Sequence, residues 1–162
     1  FVDDCLHTGT KAACDEYRTF LKGSFTCSDL GEPIDHLGMQ VERDRAAGTL
    51  KLYQSKYIEK MAERYNVTLP DNKSYPVPLP YTVRLEPAAD DDERCEPTLY
   101  RSICGALQFA SHCCRPDVSQ SVRELCKHLV DPAVQHYKAA RQCLQVSFVF
   151  FRNVVLARPV RS

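Results

Sequence analysis

The stretch HLGMQVERDRAAGTLKLYQSKYIEKM, residues 36–61, changes its hydrophobic period halfway, and that change decides the fold class. Leu37, Met39 and Val41 alternate with Gly38, Gln40 and Glu42; after Ala46-Ala47-Gly48, Leu50 and Leu52 alternate again. Side chains repeat every second residue only in extended chain, so two such runs around a glycine-containing turn predict a β-hairpin. From Ser55, a candidate cap, the period becomes helical, and Tyr57, Ile58, Met61, Ala62 and Tyr65 share one face. The same helix carries Lys56, Lys60 and Arg64 as a basic stripe, with Glu59 and Glu63 beside them to blunt its field.

Toward the N-terminus, Cys5 to Thr8 reads as a short extended run broken by Gly9. Ala13, Tyr17, Phe20 and Leu21 then recur at helical spacing, with Thr10 as N-cap and Gly23 as the stop, giving a helix over 11–22. Toward the C-terminus, residues 67–98 hold six of the ten prolines and the run Asp90-Asp91-Asp92-Glu93. That composition predicts a linker with little packed structure, its acids a solvated loop rather than a cation site. Three helical stripes follow: Leu99, Ile103, Ala106, Leu107 and Ala110; then Val118, Val122, Leu125, Cys126 and Leu129; then Ala133, Tyr137, Ala140 and Leu144. Pro116, and Asp131 with Pro132, sit where first turns favour a cap and a proline. Strands and helices that do not alternate as βαβ units predict an α+β part joined to an all-helical part.

Composition narrows the function little. Lys plus Arg and Asp plus Glu both number 21, so any charged binding surface must come from local clustering. The longest apolar run, VSFVFF at 146–151, is far too short to span a bilayer. Nine cysteines with no CxxC pair signal neither a disulfide framework nor a zinc ribbon, and mostly buried free thiols in a reducing, intracellular setting are expected. His112, Cys113 and Cys114 with Cys126 and His128 fit no standard zinc spacing. The glycosylation triplets at Asn66 and Asn72 read as chance matches.

Several segments fall in order as a set: FVDD (1–4), SDLGE (28–32), HLGMQVERD (36–44), LYQSKYIEKM (52–61), YRSICGALQFA (100–110) and RPDV (115–118), with Pro132, His136 and Ala139-Ala140 after them. The set resembles the reverse transcriptase of copia-type long-terminal-repeat retrotransposons, from Phe1 to about Gln145. The resemblance implies a partial polymerase palm, hairpin strands plus helix, followed by an all-helical thumb. Residues 1–66 would be the C-terminal palm with a primer-grip-like hairpin and the first thumb helix, 67–97 the linker, 98–145 the thumb, and 146–162 a disordered tail outside the family pattern.

The resemblance also implies chemistry. FVDD is similar to the [YF]xDD signature, which makes Asp3 and Asp4 the catalytic carboxylates and ligands of Mg²⁺, with Asp3 the stronger. Hard cations take carboxylate oxygens, and two ions would activate a primer 3′-hydroxyl in an in-line displacement. Leu37, Gly38 and Met39 would lie in the primer grip. Arg101, Gly105, Gln108 and His112 fall away from the Leu99/Ile103 stripe and would track a template–primer duplex, with Lys56, Lys60 and Arg64 as further phosphate contacts; an ordinary solvated face is the alternative. RNA template, DNA primer and deoxynucleoside triphosphate are the implied partners of the parent enzyme, in the cytoplasm or a virus-like particle. The fingers, the strand bearing the remaining aspartate and the RNase H region do not appear in this sequence, so the chain is expected to be a fragment, inactive alone. A non-catalytic nucleic-acid-binding remnant, or an inert product, is the other reading.

Overall fold

The computed structural model describes residues 4–68, 77–80 and 84–150, the last three of these by backbone alone. The chain divides into two units, Phe1–Ile34 and Asp35–Ser162.

In the first unit, Thr10 Oγ1 accepts the Ala13 N–H at 3.3 Å and starts helix α1, Lys11–Ser24, as the sequence predicts. The helix runs through Gly23 rather than stopping there, and the Phe25 N–H still bonds to Leu21 O. Cys5–Thr8 is not part of a strand, because no described segment pairs with it. α1 buries none of its residues, and Tyr17 and Phe20 are 42% and 60% exposed. Ion pairs and one ring contact link the unit: Asp15 takes Lys11 and Arg18, Asp29 takes Arg18 and Lys22, and His7 meets Tyr17 edge-on. Exposed pairs of this kind contribute little, because solvent screens them.

The second unit begins with an antiparallel sheet of β1 (Asp35–His36), β2 (Met39–Asp44) and β3 (Thr49–Tyr53), in the order β1-β2-β3. Val41 pairs with Leu52, as the alternating pattern predicts. The pairing of His36 with Met39 corrects the reading of Leu37, however. Leu37 and Gly38 are the two turn residues between β1 and β2, with φ of 49° and 78°. Positive φ at both positions is the demand of a type I′ turn, which asparagine and glycine meet without strain and leucine does not. Leu37→Asn is therefore expected to raise the unfolding free energy by about 1 kcal/mol, read as a higher urea midpoint. A lower midpoint would mean that the Leu37 side chain contributes more than its backbone costs.

Helix α2 (Ser55–Arg64) is not capped by Ser55. Gln54 is its N-cap and makes no side-chain bond there; Gln40 Oε1, reaching from β2, accepts the Lys56 N–H at 3.0 Å. A strand side chain thus satisfies an orphan donor of the helix and fixes the hairpin to it. α2 buries Ile58, Met61 and Ala62, with Tyr65 just beyond its end; Met61, Ala62 and Tyr65 share one core with residues of α3 (Pro97–Cys113), α4 (Ser119–Leu125) and α5 (Val134–Phe150).

The core face of α3 is Tyr100, Ile103, Cys104, Leu107, Ala110 and Ser111, rotated from the predicted stripe so that Leu99 lies outside. Tyr100 can be buried whole because its hydroxyl donates to Leu125 O at 2.8 Å. α5 starts at Val134, two residues later than the Asp131-Pro132 signal: Asp131 pairs with Arg94 at 2.7 Å instead, and His136 Nδ1 takes the Ala133 N–H. At its other end α5 continues past Gln145, with Val146 and Ser147 buried, so the tail expected from 146 is helical to Phe150. Residues 151–162 lie outside the described ones.

Residues 84–96, expected to be part of a linker with little packing, are strapped to the helices. Cys95 N–H bonds to Pro132 O, Val134 N–H bonds to Glu93 O, and Leu85 and Cys95 pack on the core. The acidic run keeps its exposed character except at Asp92, whose carboxylate accepts from Ala89 N–H and Gln135 Nε2.

Candidate functional site

Asp3 lies outside the described residues, and Asp4 is exposed in a stretch without strand pairing. No three His, Cys, Asp or Glu side chains gather to hold a metal ion among the described residues. With Asp3 outside the described residues, the described ones carry no catalytic step through Mg²⁺.

The row on α3 is brought together. Arg101, Gly105, Gln108 and His112 are all exposed along one face, opposite the Ile103/Leu107 core stripe. A Cβ built on Gly105 would meet nothing within 4 Å, so the helix backbone there is open to a close neighbour. Arg101 is less free than its position suggests, since its Nε donates to Leu129 O at 2.8 Å and half-commits the guanidinium to that loop. At the start of the helix Glu96 is the N-cap, accepting the Thr98 and Leu99 N–H groups. Those two hydrogen bonds, more than the nearby Arg101 charge, hold its carboxyl below the usual range.

The row on α2 is mixed. Lys56 pairs with Asp35 at 3.1 Å, and the Arg64 guanidinium lies 5.6 Å from the centre of the Tyr65 ring. Lys60 is exposed and carries no ion pair among the described residues. A cleft of about 380 Å³ beside the end of α2 is lined by Glu59, Glu63 and Asn66, an acidic lining that disfavours phosphate.

The expected primer-grip residues Leu37, Gly38 and Met39 lie at the tip of the first hairpin. A Cβ on Gly38 would stand 3.7 Å from the Phe109 ring. Phe109 packs edge-on against Tyr57, ring centres 5.0 Å apart, and Tyr57 donates to Ala106 O. Hairpin tip, α2 and α3 therefore converge on this aromatic pair. Phe109 is also four residues on from Gly105, next to the exposed row. The sequence reading missed the pair; its one signal was an aromatic residue just outside the α3 core stripe.

His112 is exposed, Cys114 is buried, and His128 points its Nε2 at Leu85 O. All nine cysteines are free, but only Cys104, Cys114 and Cys143 are buried, fewer than expected. Burial pushes the Cys104 thiol up to about 12, which keeps it protonated and inert. Also unassigned from sequence was Arg115, 1% exposed, whose guanidinium grips Asp117 with two nitrogens and donates its third to Ser147 O.

No protein-family model matches the chain. No solved structure matches it either. The chain is 31% identical over 149 residues to the Retrovirus-related Pol polyprotein from transposon TNT 1-94 of Nicotiana tabacum, an alignment covering 90% of this chain and 11% of that protein. It is 30% identical over 146 residues to an uncharacterized mitochondrial protein of Arabidopsis thaliana, covering 90% of this chain and 58% of that one. The chain thus spans a small part of the first relative and somewhat over half of the second. Its homologues include a retrotransposon Pol polyprotein, and the sequence is retroelement-related.

Proposed function

We propose that the chain forms the palm edge and thumb of an RNA-directed DNA polymerase, and that its own share of the function is to hold the RNA–DNA hybrid. The observation that carries this reading is the similarity to a transposon Pol polyprotein across nine-tenths of the chain. The exposed α3 row, with open backbone at Gly105 between Arg101 and Gln108, supports it: duplex is held through sugars and phosphates by donors on a close-approaching backbone. The hairpin tip over Phe109 would steady the primer strand beside that row. Nucleotidyl transfer belongs, in this reading, to the intact parent enzyme, with its full carboxylate set, Mg²⁺ and nucleotide pocket inside the cell.

The test is binding of a fluorescent RNA–DNA hybrid at several salt concentrations. Affinity should fall steeply with salt, and Lys60→Ala should weaken binding several-fold and lower the salt slope by about one. Lys60 is the cleaner probe than Arg101, because Arg101→Ala also strips Leu129 O of its donor. Binding that ignores salt, or that Lys60→Ala leaves unchanged with an unaltered slope, would sink the phosphate-contact assignment. Primer extension by the chain with Mg²⁺ should show no incorporation; incorporation would overturn the division of labour.

A further inference from the structure

His128 and His136 form a buried stack, ring centres 4.1 Å apart and planes within 8°. His128 is 8% exposed and His136 is fully buried. Each ring reaches the same strand of backbone: His128 Nε2 lies 3.0 Å from Leu85 O, and His136 Nε2 lies 2.9 Å from Glu86 O. A carbonyl only accepts, so both Nε2 atoms carry the proton. His136 Nδ1 accepts the Ala133 N–H at 2.9 Å, which independently fixes the same tautomer. His136, with one nitrogen accepting and the other donating, is therefore neutral while its contacts hold, and His128 is stacked flat against that neutral ring. Together with Arg94–Asp131 and the Cys95 and Val134 hydrogen bonds, they fasten residues 84–96 across the starts of α3 and α5.

A further proton has no good place to go. On His136 it would have to sit on Nδ1, setting two N–H groups against each other at the N-terminal, positive end of α5. On His128 it would put a charge on a ring stacked against another imidazole. The groups acting on His128 add little relief. Desolvation and His136 lower its pKa and Lys127 lowers it further, while the Leu85 carbonyl and Glu124 raise it. Glu124 is already engaged by Lys127 at 2.7 Å. Tyr100, whose ring centre is 6.4 Å from that of His136, is held by burial well above its ordinary pKa and stays uncharged. Arg84 and Glu86, on the strap itself, are exposed.

We propose that the His128–His136 stack is an acid-released latch: neutral, it lies buried and holds the 84–96 strap on the helical unit; charged, a ring must leave the dry stack for water and draws its hydrogen bond away from the strap carbonyl, while α3, α4 and α5 stay folded. His128 titrates lower when latched than the ordinary value of about 6.5, so the released state binds more protons. Attachment is then at full strength above that pH and weakens as the pH falls below it.

Amide hydrogen exchange followed by NMR on the full chain tests this, at about pH 7.5 and about pH 5.5 with rates corrected for intrinsic exchange. The Cys95 and Val134 amides should exchange at least about threefold faster at the acid pH, while the Ile103 and Leu107 amides hold their rates. His128→Phe keeps a stacked ring but cannot titrate, and should abolish the difference. Should that variant not fold, the native chain decides: the His128 ring resonances must titrate with the same midpoint as the Cys95 amide. Equal strap protection at both pH values would overturn the latch. So would loss of strap and α3 protection together, a pH response retained in His128→Phe, or midpoints that disagree.

Discussion

Asp117→Ala is expected to lower the unfolding free energy by about 3 kcal/mol, the toll of a core substitution at a residue whose side chain is 49% exposed. The cost arises at its partner. Arg115 is 1% exposed, with two guanidinium nitrogens on the Asp117 carboxylate and the third on Ser147 O. Deleting the carboxylate leaves a buried cation with one carbonyl for company, whereas deleting both members removes the charge. Arg115→Met with Asp117→Ala should accordingly be less damaging than Asp117→Ala alone, a coupling that a denaturant double-mutant cycle reads directly. Additive costs would show the pair to be independent. Desolvation pushes the Asp117 carboxyl up, but the Arg115 hydrogen bonds and charge outweigh it and leave it below the usual range. The carboxylate's contribution is thus complete above its unfolded pKa of about 3.9 and is lost as pH falls through the lower folded value. Native and Asp117→Ala stabilities should converge in acid.

What the sequence made legible was local. The change of period between Leu52 and Tyr57 marks where strand becomes helix, and Thr10 caps α1 as its side-chain chemistry requires. The exposure of Arg101, Gly105, Gln108 and His112 follows from helical spacing, since the apolar residues around them claim the other face. What stayed hidden depends on partners distant in the chain. A tyrosine, a histidine and an arginine read as surface residues until Leu125 O, Glu86 O and Ser147 O are there to receive Tyr100, His136 and Arg115. The strap looked like linker for the same reason: its prolines and acids are visible in sequence, but its hydrogen bonds run to residues 43 to 50 positions away. Leu37 in a positive-φ turn was missed because leucine is the wrong residue for one, and only the strand register reveals it.

Leu107→Ala and Leu99→Ala make the same chemical change in the same helix, and they should differ widely. Leu107 is fully buried between α2, α4 and α5, so truncation loses transfer free energy and leaves a cavity, about 2–5 kcal/mol in all. Leu99 is 41% exposed in the first turn of α3, and its truncation should stay within about 0.5 kcal/mol. Helix propensity changes equally at both sites and cancels in the comparison, which leaves burial as the variable. The contrast therefore measures which way α3 faces. A one-residue shift of its inner stripe would turn the helix by about 100° and carry Gly105 from open space toward the core. Equal costs at Leu99 and Leu107 would mean that the sequence-read stripe, with Leu99 turned inward, is the buried one. A large cost at Leu107 beside a small one at Leu99 keeps Gly105 outward, where a nucleic-acid backbone could reach it.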